Sequence, residues 1–271
     1  MEPRPVFTMM KYFYDNTRLD NLRDMSREMT GALRRIEGTR IWENSAWACL
    51  NLIKDILLAA HENKYPEMKC QQSGCCCRKQ VPRVSLFEVT RIMRYINETM
   101  YEEERDAIKE RCLSTVSAKY ESVILGTGVA CPMLETGSDG KSRCAINEVK
   151  PVICWMSGVT SDMSWDCPLW KVHGKLFPKL SRDVTVPYLN LFAYCRRTFF
   201  KDNIKDRFPQ VSKNQQMVLL GPVVGATLGG KDSYEEMNLT LRSMCHVDGY
   251  DPDLYMHELP PPPDEVEKTK E

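Results

Sequence analysis

The chain has 271 residues, and its 37 Lys and Arg are matched by 37 Asp and Glu, so the formal net charge is zero. That length suffices for one large domain or two small ones with a real core, and the charge balance leaves no electrostatic footprint for nucleic acid or an anionic membrane surface. No apolar run approaches the roughly 18–20 residues that span a bilayer, and the start lacks a basic segment followed by an apolar stretch, so a cytoplasmic protein with neither membrane nor nucleic-acid partners is expected.

Pro3 and Pro5 make the first residues irregular. Leu19, Leu22, Met25, Met29, Leu33 and Ile36 then recur at threes and fours, which predicts a helix over 19–36 that stops by Gly38. A second helix is predicted over 41–61, with a wide apolar face that includes Trp42, Leu50, Ile53 and Leu57. Cys49 lies on that face and reads as a small core residue, since free cysteine is commonly buried. Further on, Ser85 and Glu88 have the spacing of a capping box ahead of Leu86, Val89, Ile92, Met93 and Ile96. The next helix is predicted over 102–125. Its opening run Glu102-Glu103-Glu104 suits the positive end of the backbone dipole, and Ile108, Cys112, Val116, Tyr120 and Ile124 point inward.

Over 126–170, Gly, Pro, Ser and Cys replace the helical periodicity, as expected of loops that carry ligands. Residues 186–200 read as an apolar helix with Cys195 in the core, and another helix is predicted over 233–245. Between them, Gly225-Ala-Thr-Leu-Gly-Gly230-Lys231-Asp232 nearly spells a phosphate-binding loop after a strand-like Met217-Val-Leu-Leu. That loop needs Ser or Thr after the Lys to bind Mg²⁺, and Asp232 would repel the phosphates, so a Gly-rich turn near the core is the preferred reading. Four prolines after Leu259 and a charged end predict a disordered tail. The expected fold class is mainly α: a helical domain with a Cys-rich, loop-built metal or iron–sulfur site. The predicted division is a helical region over 1–66, a Cys-rich core over 67–170, a second helical region over 171–258 and the tail over 259–271.

The chemistry lies in the cysteines. Cys70-Gln-Gln-Ser-Gly-Cys75-Cys76-Cys77 packs four thiols into one short stretch, and Cys131, Cys144, Cys154 and Cys167 follow. In a reducing compartment such clusters read first as metal ligands or redox groups rather than disulfides. Thiolate is a soft ligand for zinc, copper(I) and iron–sulfur clusters. Gly74 permits the turn such a site needs, and Cys131-Pro132 and Cys167-Pro168 repeat a pairing found in iron–sulfur ligation. One tetrahedral zinc takes four ligands. The chain offers more, so either some thiols are spare or the site is polynuclear. His61, His173, His246 and His257 show no ligand spacing, and Asp162 and Asp166 read as loop-capping residues rather than acid–base groups. No catalytic constellation can be singled out, and catalysis stays open.

Cys70-Gln-Gln-Ser-Gly-Cys-Cys-Cys-Arg78, then Val84-Ser85-Leu-Phe-Glu88, then Cys131-Pro132-Met133-Leu134, then Cys144-Ala-Ile-Asn-Glu-Val-Lys-Pro151-Val-Ile-Cys154 resemble, block by block and in order, the YkgJ-type CxxCxxCC family of zinc- or iron-chelating proteins. The resemblance covers about residues 68–168. It implies Cys70, Cys76, Cys77, Cys131, Cys144 and Cys154 as metal ligands. Ser73 stands where the family has its second Cys, and Cys75 is the neighbouring thiol available to replace it. Asn147 and Lys150 replace the family's Tyr and Arg. Family members that methylate flagellin lysines are associated with an iron–sulfur cluster. The expectation is therefore a protein carrying an iron–sulfur cluster, with a 4Fe–4S type as candidate, in a redox or protein-modifying role on a protein substrate or partner. The alternatives are a structural zinc module for protein interaction, and metal delivery or sensing.

Overall fold

The computed structural model describes residues 19–65, 74–116, 118–119, 126–137, 139–157, 180, 182–203 and 217–229. Cys70, Ser73, Tyr120, Ile124, Asp162, Asp166, Cys167, His173, His246, His257, the predicted 233–245 helix and the proline-rich tail lie outside them. The described chain is mainly helical. A 3-10 turn at Leu19–Asn21 leads into α1 (Leu22–Arg34), and α2 (Trp42–Lys64) follows. Strand β1 (Arg83–Ser85) runs straight into α3 (Leu86–Thr99), and α4 (Glu102–Ser114) comes next. The hairpin β2 (Leu134–Thr136) and β3 (Ser142–Cys144) precedes the short α5 (Val152–Met156). The long α6 (Arg182–Asn203), strand β4 (Met217–Leu219) and α7 (Leu220–Gly229) complete it.

Two apolar cores organise these elements. In the first, Leu22, Met29 and Leu33 of α1, Trp42, Leu50 and Ile53 of α2, and Tyr188, Leu191 and Phe199 of α6 pack together. In the second, Val89, Ile92 and Ile96 of α3, Ile108 and Cys112 of α4, and Leu220 and Val224 of α7 gather with Cys131, Met133, Ile146 and Val149 from the loops. Helix α3 lies between them, because Phe87 at its start turns to the first core. There the Phe87 ring stacks on Trp47 at 4.2 Å and meets Phe199 at 5.5 Å. Burying such a side chain contributes about 1.5–3 kcal/mol.

Of the inward positions read from periodicity, Ile108, Cys112 and Val116 are buried, as is Cys195, whereas Leu19, in the 3-10 turn ahead of α1, is exposed. Helix α4, however, ends at Ser114 rather than continuing to 125. Its ladder tightens there: Thr115 N–H donates to the Cys112 carbonyl and Val116 N–H to that of Leu113. The Thr115 hydroxyl also donates to the Cys112 carbonyl, at 2.6 Å, a local bond that competes with further helix. The Gly-rich stretch differs too. Strand β4 pairs antiparallel with β1, Ser85 opposite Met217, and enters α7 with no intervening loop. Gly225 is inside that helix and cannot belong to a phosphate-cradling loop. Its smallness serves packing instead, since a Cβ at Gly221 would stand 2.4 Å from the Thr115 hydroxyl and one at Gly225 3.0 Å from Cys112 Cβ.

Burial pushes the thiol of Cys112 up to about 12 and that of Cys49 to about 11, from 9.0. The unfolded chain releases these protons near 9.0, while the folded chain keeps them. Their contribution to stability is therefore full below pH 9.0 and lost as pH rises through the folded values. A Cys49→Ala/Cys112→Ala variant should show a flatter decline of urea-unfolding free energy above pH 9.0 than the parent chain; an identical slope would refute this assignment.

Candidate metal centre

The first cysteine block is a compact turn. Arg78 N–H donates to the Gly74 carbonyl at 2.9 Å and Lys79 N–H to that of Cys76 at 3.3 Å. This leaves Cys75, Cys76 and Cys77 half-buried, with the sulfurs of Cys76 and Cys77 3.8 Å apart. Gly74 is required twice over. Its φ is +69°, and a Cβ there would stand 2.8 Å from Ser142 Cβ and 3.0 Å from Leu134 Cδ1. The turn therefore lies directly on the hairpin that carries Cys144. The Arg78 guanidinium fastens the two, donating to Ser142 Oγ at 2.9 Å.

The second block is built around the same hairpin. Leu134 pairs with Cys144 in the β2–β3 ladder, and Ala145 N–H donates to the Met133 carbonyl at 2.8 Å. Cys131 is buried, and its N–H donates to the Cys77 carbonyl at 2.6 Å, a direct backbone bond between the two halves of the predicted site. From α4, Arg111 holds the Cys131-Pro132 loop, donating to the Pro132 carbonyl and to the Glu135 carboxylate, each at 2.8 Å. Cys154 sits on α5, half-buried, one turn after Pro151.

What fixes α5 is Glu88. The predicted capping box is present: Ser85 N–H and its hydroxyl both donate to Glu88 Oε2 at 2.8 Å, and Glu88 N–H donates to Ser85 Oγ at 3.3 Å. The other oxygen accepts from Val152 N–H, the first residue of α5, at 2.7 Å. One carboxylate thus opens two helices, the second bearing Cys154. Burial raises the Glu88 pKa against these donors, which favour the ionised form.

Four of the predicted ligands lie near enough for ionisation of one to oppose that of another. The thiolate charge of Cys76 raises the pKa of Cys131, Cys144 and Cys154, and Cys131 and Cys144 do the same to Cys154. Burial is the larger cause in all three, pushing Cys131 up to about 12 and Cys154 well above its ordinary range. For Cys76 the hydrogen bond with Cys77 comes first and burial second. Lys150, where the resembled family has Arg, acts oppositely on Cys144 and lowers it. Among the described residues, no three His, Cys, Asp or Glu side chains close around one point as ligands of a single ion. The nine described cysteines are all free thiols.

The donor set suits a soft cation. Gathered, buried thiols are costly to ionise beside one another, and a bound cation reverses that cost. Comparison with family descriptions, curated proteins and solved structures returns no match to this chain. Arg78, Arg111 and the second role of Glu88 were not legible in the sequence, because their partners lie 64, 21 and 64 residues away.

Gly74→Ala is expected to force the cysteine turn off Ser142 and to cost about 1–3 kcal/mol, from the left-handed backbone and the clash together. Urea denaturation measures the loss. Stability equal to that of the parent chain would show that the turn does not rest on the hairpin as described.

Proposed function

We propose that this chain is a metal-binding protein that holds an iron–sulfur cluster on cysteine thiolates and has a redox or protein-modifying role. The observation that carries the reading is the direct bonding of the two thiol blocks: Cys131 N–H donates to the Cys77 carbonyl at 2.6 Å, and the Gly74 turn lies on the hairpin that carries Cys144, fastened by Arg78 to Ser142. Cys70, Cys76, Cys77, Cys131, Cys144 and Cys154 would hold the cluster, as the resemblance to the YkgJ-type family implies, with Cys75 in place of the family ligand that Ser73 replaces. Such a cluster supplies one-electron transfer at a potential set by its surroundings. The chain's own contribution is positional. Arg111 and Cys77 fix the Cys131 loop, Arg78 and Gly74 fix the first turn against Cys144, and Glu88 fixes the helix of Cys154. Clustered thiols suited to metal rather than disulfides fit a reducing compartment, and we assign the protein to the cytoplasm. No helix among the described residues is long and apolar enough to cross a membrane.

A structural zinc is the second reading. It is favoured by the way these thiols lie between the two cores: Cys77, Cys131 and Cys144 pack with the second, while Trp155 and Met156 beside Cys154 belong to the first. An ion there would staple one to the other.

Metal and acid-labile sulfide analysis after purification without oxygen separates the readings. Iron and sulfide with visible charge-transfer absorbance are expected, and zinc with neither would leave the second reading standing. Cys131→Ser and Cys154→Ser should each lower bound metal severely, whereas Cys112→Ser, in the core beside them, should leave the metal content unchanged. Equal metal content in all three variants would sink both readings.

A further inference from the structure

Away from the thiols, the seam between α1 and α6 opens as a groove of about 610 Å³. Arg23, Arg27 and Arg34 of α1 and Arg197 of α6 line it, and all four are exposed. Among the described residues, no carboxylate lines it. Two acids of the described residues, Asp24 and Glu37, are already turned to partners. Asp24 pairs with Arg27 at 3.3 Å, both ends exposed and the pair correspondingly weak. Glu37 accepts the Tyr194 hydroxyl. Arg23, Arg34 and Arg197 have no carboxylate partner among the described residues. A protein with zero net charge thus gathers four guanidinium groups along one seam.

The row has direction and a floor. Arg23, Arg27 and Arg34 follow the helical spacing of one face, so they extend over about 16 Å at 1.5 Å per residue. An extended peptide covers that span in about five residues at roughly 3.3 Å each. Val186 and Pro187 supply an apolar floor, and the Ser26 hydroxyl donates to the Pro187 carbonyl at 2.8 Å to hold the two helices at fixed separation. Asn190, also on the wall, offers both a donor and an acceptor to a peptide backbone. Single-stranded nucleic acid needs exposed aromatic faces on which bases stack. Tyr194, the one aromatic residue of the lining, is buried, with the Arg34 guanidinium 5.7 Å above its ring.

We propose that the α1–α6 groove is a docking site for an acidic peptide segment of a partner protein, with arginines pairing carboxylates or phosphates along its length. Arg suits both groups through its planar fork of donors. This site is independent of the thiol chemistry and stands whichever metal reading holds.

The test is fluorescence anisotropy on the full chain with a labelled alternating Asp-Glu peptide, its Asn-Gln counterpart and a labelled oligouridine. The acidic peptide should bind at low salt and weaken as salt is raised, and the neutral peptide should not bind. Arg23→Gln/Arg197→Gln should weaken the acidic peptide about tenfold or more. Lys109→Gln/Lys141→Gln, which removes the same charge elsewhere, should leave its affinity unchanged. Both variants alter residues outside the cores, and an unchanged circular dichroism spectrum confirms each is folded. Absence of binding, equal weakening by the two variants, or tighter binding of oligouridine would each overturn the proposal.

Discussion

The arrangement depends on one buried carboxylate. Glu88 lies between the two cores, at 4 % exposure, and takes hydrogen bonds from Ser85 on one oxygen and from Val152 on the other. A carboxyl group in that position is costly unless its lone pairs are occupied. Here they are occupied by donors that helices leave unsatisfied at their first turns. The same contact therefore removes three liabilities at once: a buried acid, the open start of α3 and the open start of α5. Helix α5 is only five residues long, too short to hold its own shape, so its direction comes from this bond and from Trp155 packing edge-on to Tyr188 at 4.8 Å. Cys154 is aimed by that combination.

The other thiols rest on a second, weaker frame of backbone bonds and one glycine. The turn at Gly74, the Cys131–Cys77 backbone bond and the Arg78–Ser142 bond make a layered loop structure over the second core. These bonds hold the two thiol blocks against each other. The loops also desolvate the sulfurs, so the thiols resist ionisation until a positive charge arrives. The physical setting of the site is thus polarised before any ligand binds: soft donors, little water, mutual repulsion in the charged state, and a single lysine, Lys150, easing the charge on Cys144.

Much of the helical frame was legible in the sequence, because apolar periodicity and capping chemistry are local. The Ser85–Glu88 box, the inward face of Ile108, Cys112 and Val116, and the core placement of Cys195 all follow from spacing within a few turns. Legibility failed where tertiary contact overrode local pattern. The apolar positions beyond Ser114 keep helical spacing, yet Thr115 is pressed against α7 and its hydroxyl takes the Cys112 carbonyl. The glycines at 221 and 225 carry a loop-like signature, but a helix pressed this closely onto α4 needs small residues at those positions. The arginines of α1 gave no signal either. They lie along one exposed helical face, and only the approach of α6 turns them into a lined groove.

The placement of the thiols gives the site a consequence for the whole fold. Cys154 belongs to a helix whose neighbours, Trp155 and Met156, are part of the first core, while Cys77, Cys131 and Cys144 pack with the second. Without a cation the cores are joined through α3, where Phe87 and Ile92 face opposite ways, and through the Glu88–Val152 bond. A cation shared by Cys154 and the second-core thiols would add a strong cross-link between parts of the chain held together chiefly by one helix. Its binding free energy would then appear as resistance to the separation of the cores, since anything that binds the joined state alone stabilises it. Occupancy and the relative stability of the two halves would then be linked by the position of the sulfurs, whether the occupant transfers electrons or only holds the fold.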